Sequence, residues 1–303
     1  MKFLILDISN LLYRTFYANK GEDDITLAGL ANHQALLTLN KYFKKYKPDK
    51  VVMVYDRPNW RKDYTKSDEC VSGKLYKGNR RKDMTQKERA KYELFLSHLK
   101  EFEELMKNYT SVICLAAMGL EADDLAGGFV QMYSGNDNEI IIISTDKDYI
   151  QMLGFPNVIL LNPAKDEERT LEEWDDDAEL FMFEKCIRGD AGDNVQSAYP
   201  RVRKTRIRKA WEDPLERVNM MHETWTNHEG KEMVVKEVFK ENEMLMDLRK
   251  QPEKYRKLIK KTIEEEMKNP GEYSYFHFMK FLGKYKMERV AKQAEMFAQM
   301  LSR

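Results

Sequence analysis

The sequence predicts an α/β fold, with a largely parallel central sheet flanked by helices and followed by a helical C-terminal region. Three observations predict it. Five short runs rich in Val and Ile recur within residues 2–162, helix-like stretches separate them, and beyond about residue 174 only helical periodicity continues. Strands alternating with helices imply a mainly parallel sheet, and continuous apolar runs suit strands buried on both faces.

The runs are KFLILD (2–7), KVVMVYD (50–56), TSVICL (110–115), NEIIIIST (138–145) and NVILLN (157–162). Between them, 27–46, 86–108 and 122–133 have helical periodicity. In the second part, helices are predicted within 174–189, 235–250, 253–269 and 289–303, with no further strand of comparable strength. The polar stretches 57–85 and 189–210 read as irregular. The expected organisation is an α/β core over 1–173, with helical 174–303 packed on it. The amphipathic 289–303 helix is expected to pack into the core.

With 303 residues the chain can bury a sizeable core as one large domain or two smaller ones. Its 51 basic and 51 acidic side chains cancel, so the charge distribution matters more than the sum. Cys70, Cys114 and Cys186 stand far apart in no metal-ligand spacing, which fits a reducing cytoplasm. No segment approaches the roughly 18 consecutive apolar residues of a membrane span. Asp7 interrupts the opening apolar run, which reads as a strand rather than a signal peptide.

The acids fall at chosen places. Asp7 and Asp56 end the first two strand runs, and Asp146 and Asp148 follow the fourth. Glu121, Asp123 and Asp124, in GLEADDLAGG, follow the third, and Asp190 and Asp193, in RGDAGDN, come from the helical part. Acids at a helix start have an ordinary explanation in capping and the macrodipole, and Asp124 fits it best. The set as a whole does not, because open parallel sheets gather ligand-binding residues at the carboxyl ends of their strands. Clustered carboxylates raise one another's pKa and need a counter-charge. An all-oxygen set without His or Cys suits Mg²⁺ rather than zinc. Two such ions about 3.5–4 Å apart support phosphodiester hydrolysis.

Two basic stretches point to nucleic acid. Lys77, Arg80, Arg81, Lys82, Lys87 and Arg89 face only Asp83 and Glu88 in sequence, and PRVRKTRIRK (200–209) has six basic residues and no acid. Such stretches grip phosphates without reading sequence. The polar run 63–73 has no core-forming pattern and is expected to be mobile without substrate.

ILDISNLLYR, VYDRPNWR, YKGNRR, EADD, STDKDYIQML and GDAGDN resemble, in order, the motifs of the flap-endonuclease-like 5′ nucleases. That group includes the 5′-nuclease domain of bacterial DNA polymerase I and the ribonuclease H of T4-type bacteriophages; the free-standing form of the chain is most similar to the latter. The resemblance covers residues 3 to about 205. It implies a PIN-like core, a helical arch within 57–92 and a helix–hairpin–helix-like module that binds DNA. It implies a 5′→3′ exonuclease, RNase H and flap endonuclease that uses two Mg²⁺ ions, with Mn²⁺ substituting, to remove RNA primers or 5′ flaps.

By the same resemblance, Asp7, Asp56, Glu121 and Asp123 hold the first ion. Asp146, Asp148, Asp190 and Asp193 hold or hydrate the second, with Asp124 in support. Asp123 and Asp146 count with Lys77 and Arg61 as catalytic, the last two contacting the scissile phosphate. Tyr13 stacks on a terminal base, with Arg14, Tyr76, Arg80 and Arg81 as further nucleic-acid contacts. The chain departs from the family at SAYPRVRKT, where a glycine-rich hairpin is usual. Arg201, Arg203, Lys204, Arg206 and Arg208 are expected to replace its backbone contacts, and binding of a monovalent cation there is not expected. Expected substrates are RNA–DNA hybrids, 5′ flaps and forked duplexes. A single-strand-binding protein, sliding clamp or polymerase enters as a partner only by family, and the family is monomeric.

Other readings predict different features. A silent branched-DNA binder would lack ligand acids, and none is missing. A haloacid-dehalogenase-like phosphatase wants a second acid two residues after Asp7, where Ser9 stands. A PIN-type ribonuclease shares the acid rim but is usually shorter and lacks both basic stretches.

Overall fold

The computed structural model of the protein describes residues 1–18, 23–80, 82–227 and 229–302. All five predicted strands form: β1 (Lys2–Asp7), β2 (Lys50–Val54), β3 (Ile113–Leu115), β4 (Glu139–Ile143) and β5 (Val158–Asn162). They pair in parallel in the order β3-β2-β1-β4-β5, and a two-residue strand, β6 (Glu167–Glu168), adds to the far edge antiparallel. Leu4 pairs with Val51 on one side and Ile141 on the other. Successive crossovers run outward from β1 in one direction and from β4 in the other. The gap between the carboxyl ends of β1 and β4 is therefore the switch point where such sheets bind ligands.

Helices cover both faces, as strands apolar on both sides require. Leu4, Leu6, Val51, Met53 and Ile141 face one core. It is covered by α1 (Ile8–Ala18), α2 (Asp24–Tyr46) and α4 (Gln86–Tyr109), the last following the short α3 (Trp60–Tyr64). Phe3, Ile5, Val52 and Ile142 face the other, against α5 (Ala122–Tyr133), a 3-10 segment (Asp148–Gly154) and α6 (Ala178–Arg188).

The helical second part divides three ways. One group forms its own small core around Ile187, Ile207 and Val238: α7 (Lys204–Glu212), α8 (Pro214–His222) and α9 (Val235–Met246). A hairpin, β7 (Thr224–Thr226) with β8 (Glu232–Val234), lies between α8 and α9, a strand pair too short to register in the sequence pattern. Next, α10 (Glu253–Lys268) packs on α5. Its Ile259 meets Gly128, where a Cβ would lie 2.1 Å from Ile259 Cγ2. Lastly α11 (Tyr275–Lys284), α12 (Glu288–Ala291) and α13 (Ala294–Leu301) return to the first core, burying Phe278, Phe297 and Leu301. The predicted 289–303 helix is thus two short helices, and both pack into the core as expected. The last helices share their core with β1 and β2.

Between α3 and α4 no helix forms among the described residues, and Lys77 and Arg80 lie in turns ahead of Gln86. The run 63–73 is tied down, against expectation. Buried Glu241 on α9 accepts hydrogen bonds from Tyr64 Oη (3.0 Å), the Val71 amide (2.6 Å) and the Ser72 amide (3.0 Å). Among the described residues no helix is long and apolar enough to cross a membrane.

Candidate metal and nucleic-acid site

The acids that end β1 and β2 are fixed by neighbouring loops. Asp7 accepts hydrogen bonds from the Asn10 amide (3.1 Å) and from Ser144 Oγ (3.0 Å), which lies just past β4. Asp56 accepts from the Ala122 amide at 2.9 Å, which sets the start of α5 against the end of β2. Burial first, then the charges of Asp56 and Asp146, push the Asp7 carboxyl up to about 8. Desolvation among the rim side chains and the adjoining Asp148 push Asp146 up to about 6. Asp123 is raised by burial together with Asp124 and Glu121.

Basic side chains stand among these acids. Lys77 Nζ lies 2.5 Å from Glu121 Oε1 and 3.5 Å from Asp193 Oδ2. Burial works against both charges, but the pairing keeps Lys77 raised and Glu121 lowered. Lys185, on α6, pairs with Asp148 and lies 3.9 Å from Asp190. Burial alone would raise Asp148; Lys185 holds it below the usual carboxylate range. Asp190 Oδ1 in turn accepts from the Asp193 amide at 3.2 Å. One network therefore joins the strand ends, the start of α5 and the 190–193 turn.

The segment carrying Lys77 is stitched to that turn. The Lys77 amide donates to the Asp193 carbonyl (2.7 Å), Asn79 to the Ala191 carbonyl (2.9 Å) and Asn194 to the Leu75 carbonyl (2.9 Å). Lys77 itself has φ 54°, a left-handed conformation that non-glycine residues adopt at a cost and that clusters at functional sites.

The predicted site residues divide. Asp7, Asp56, Glu121, Asp123, Asp146, Asp148, Asp190, Asp193 and Lys77 share the rim at the switch point. Asp124 does not belong with the ligands, because it has no exposed surface and its oxygens are occupied. It accepts from Arg61 Nη1 (2.9 Å) and Nη2 (2.7 Å), from the Glu121 amide (2.9 Å) and from Gln251. Arg61, expected at the phosphate, is 1 % exposed and sits beneath the rim, its Nε donating to the Leu245 carbonyl at 2.6 Å. Tyr76 is 5 % exposed, with its hydroxyl between Glu121 Oε2 (2.9 Å) and Asp193 Oδ2 (2.8 Å), so it offers no face to a base.

Tyr13 is 42 % exposed, its ring braced by Tyr17 and Phe95. Arg14 is exposed beside it and reaches Thr145 Oγ1 at 3.2 Å. Arg80 is exposed and pairs with Asp193. Arg81 lies outside the described residues. In the second basic stretch the fold supplies the acids that the local sequence lacks. Lys204 pairs with Glu173 (2.7 Å), Arg208 with Asp175, and Arg206 with Glu223. Arg201 and Arg203 are exposed with no ion pair among the described residues, and Arg201 takes φ 62° in the turn where glycine was missing.

As the side chains stand, no three acids among the described residues close on one point as metal ligands do; Lys77 and Lys185 occupy the intervening space. The donor set nonetheless fits a hard divalent cation. Its donor atoms are carboxylate oxygens without His or Cys, and burial together with neighbouring acids raises the Asp7 and Asp146 carboxyls.

Residues 2–180 match the family of the 5′-3′ exonuclease N-terminal resolvase-like domain. The ribonuclease H of Enterobacteria phage T4 is 27 % identical over 199 residues, 64 % of this chain and 62 % of that protein. The flap endonuclease of Escherichia phage T5 is 32 % identical over 128 residues, 40 % of this chain and 43 % of that protein. A 5′-3′ exonuclease of Buchnera aphidicola is 25 % identical over 204 residues, 63 % of each. The matches thus span less than two thirds of these relatives. The fold matches the T5 D15 protein co-crystallized with metal ions, at TM-score 0.64 and 22 % identity over 88 % of this chain and 99 % of that one. It also matches a T5 D15 flap endonuclease pseudo-enzyme-product complex with DNA and metal ions, at TM-score 0.63 and 22 % identity, over 89 % and 100 %.

Proposed function

The chain belongs to the 5′-3′ exonuclease family, and on that premise we propose that it is a metal-dependent, structure-specific 5′ nuclease acting on RNA–DNA hybrids, 5′ flaps and forked duplexes, removing RNA primers or short 5′ ends during DNA replication in the cytoplasm. The carrying observation is the convergence of eight rim acids from five chain segments on the switch point, with Lys77 among them. Asp7, Asp56, Glu121 and Asp123 would hold one Mg²⁺, and Asp146, Asp148, Asp190 and Asp193 a second. Bound there, such ions supply an activated water and charge stabilisation for the departing oxygen.

The chain's own residues do the rest. Lys77, held cationic by Glu121 and Asp193, keeps a positive charge at the rim, where it would favour the transition state at a scissile phosphate. Tyr13 offers a braced ring for a terminal base, and such stacking is sequence-tolerant. Arg14 and Arg80 flank the rim, and Arg201 and Arg203 present positive charge for duplex phosphates. None of these contacts reads sequence, so structure rather than sequence selects the substrate.

The test is a panel of 5′-labelled substrates with Mg²⁺: a 5′ flap, an RNA–DNA hybrid and unstructured RNA. Short 5′ products from the first two are expected. Cleavage confined to unstructured RNA would contradict the reading.

A further inference from the structure

Asp124 stands among the rim acids in sequence but beneath them in space. It holds the Glu121 amide at 2.9 Å, and its own amide donates to Asp123 Oδ1 at 2.8 Å, so its position sets both neighbours. Two side chains hold it in turn. Arg61 grips both carboxylate oxygens, and Gln251 Nε2 donates to Oδ1. Gln251 is 2 % exposed, and its Oε1 has no hydrogen-bond partner among the described residues; its amide is oriented by what it donates.

Gln251 belongs to a segment, 245–251, that lies beyond residues 2–180, which match the family, and touches both acid-bearing elements. The Leu245 carbonyl accepts from Arg61 Nε. Leu248 packs on Gly127 of α5, where a Cβ would lie 2.9 Å from Leu248 Cδ1. The Leu248 amide donates to Gln151 Oε1 at 2.9 Å, while Gln151 Nε2 donates to the Asp148 carbonyl at 2.8 Å. The same short stretch therefore braces the α5 acids from one side and Asp148 from the other.

We infer that Gln251, with Arg61, is a positioning residue for cation binding: acting through Asp124, it fixes Glu121 and Asp123 in the arrangement that a divalent ion meets. This rests on the metal-dependent reading above. Partners behind the ligands commonly set metal affinity, and losing one costs about 10–100-fold. Gln251→Met keeps the volume and removes the donor; Gln251→Glu keeps the shape and sets a like charge against Asp124.

The experiment is calorimetric titration of Ca²⁺ into the full chain, beside Mg²⁺ titrations of 5′-flap cleavage, for wild type and both variants. Gln251→Met is expected to bind Ca²⁺ about 10-fold more weakly. Its half-saturating Mg²⁺ should rise by the same factor, and its rate should recover at saturating Mg²⁺. Gln251→Glu should shift both further. Unchanged Ca²⁺ affinity in Gln251→Met would overturn the inference, as would a lowered rate that no Mg²⁺ concentration restores. A wild type that neither binds Ca²⁺ nor cleaves would instead overturn the function proposed above, and the inference with it.

Discussion

The Lys77 ammonium lies 2.5 Å from Glu121 and 3.5 Å from Asp193, joining the start of α5 to the 190–193 turn across the acid rim. A lysine so placed is neither a surface charge nor a spare one. It offsets acids that would otherwise repel, and its backbone is held in a left-handed conformation by the Asp193 carbonyl.

Lys77→Ala is expected to lower 5′-flap cleavage by about 10²–10³-fold, the range for losing one preorganised charge-stabilising group. Single-turnover rates at saturating Mg²⁺ check this. A variant within a few fold of wild type would remove Lys77 from the reaction.

Arg61 behaves differently because it is buried against Asp124. Arg61→Ala leaves that carboxylate uncompensated and should cost about 3–5 kcal/mol of folding stability. Urea unfolding measures the loss. A soluble variant of wild-type stability that merely cleaves slowly would restore Arg61 to the phosphate.

Stability without divalent ions should fall as pH rises from about 4 to 8. Asp7 and Asp146 are raised to about 8 and about 6, so the folded chain binds more protons than the unfolded chain in that window, and unfolding becomes easier as they ionise. Glu121 and Asp148 are lowered and contribute in the opposite sense only at more acidic pH. Urea midpoints at pH 5.5 and 8 test the sign, and added Ca²⁺ should flatten the slope by stabilising the ionised acids.

Gly128→Ala would drive a methyl group into Ile259 where α5 meets α10. Overpacking of this kind costs about 1–3 kcal/mol. Thermal unfolding checks it, and a neutral outcome would mean that α10 can move away from α5.

Arg201→Ala and Arg203→Ala should each weaken duplex binding evenly across sequences and reduce the salt slope by about 1. Anisotropy titrations at several salt concentrations measure both. Unchanged slopes would move the duplex grip elsewhere.

The strands were legible because Val- and Ile-rich runs leave little alternative, and their carboxyl ends could be read from the acids that follow them. Depth was not legible. Arg61 read as a rim residue and Asp124 as either a helix cap or a supporting acid, since a single sequence does not show which charges pair beneath a surface. Lys185 offered one usable signal, five residues before Asp190 on a predicted helix. Gln251 offered none, because it reaches Asp124 across 127 positions. The second basic stretch looked free of acids only because Glu173, Asp175 and Glu223 come from elsewhere in the fold. The hairpin after α8 escaped notice because its strands are three residues each. Within GLEADDLAGG the roles divide: Asp124, in the first turn of α5, accepts from the amide of the N-cap Glu121, while Gly127 and Gly128 admit Leu248 and Ile259.

The most direct measurement is cleavage of a 5′-labelled flap by wild type and Asp123→Asn, each with Mg²⁺ and with EDTA. The account predicts short 5′ products from wild type with Mg²⁺ alone, and none from Asp123→Asn or in EDTA. Tight flap binding without cleavage in any metal, or cleavage that persists in EDTA, would contradict it.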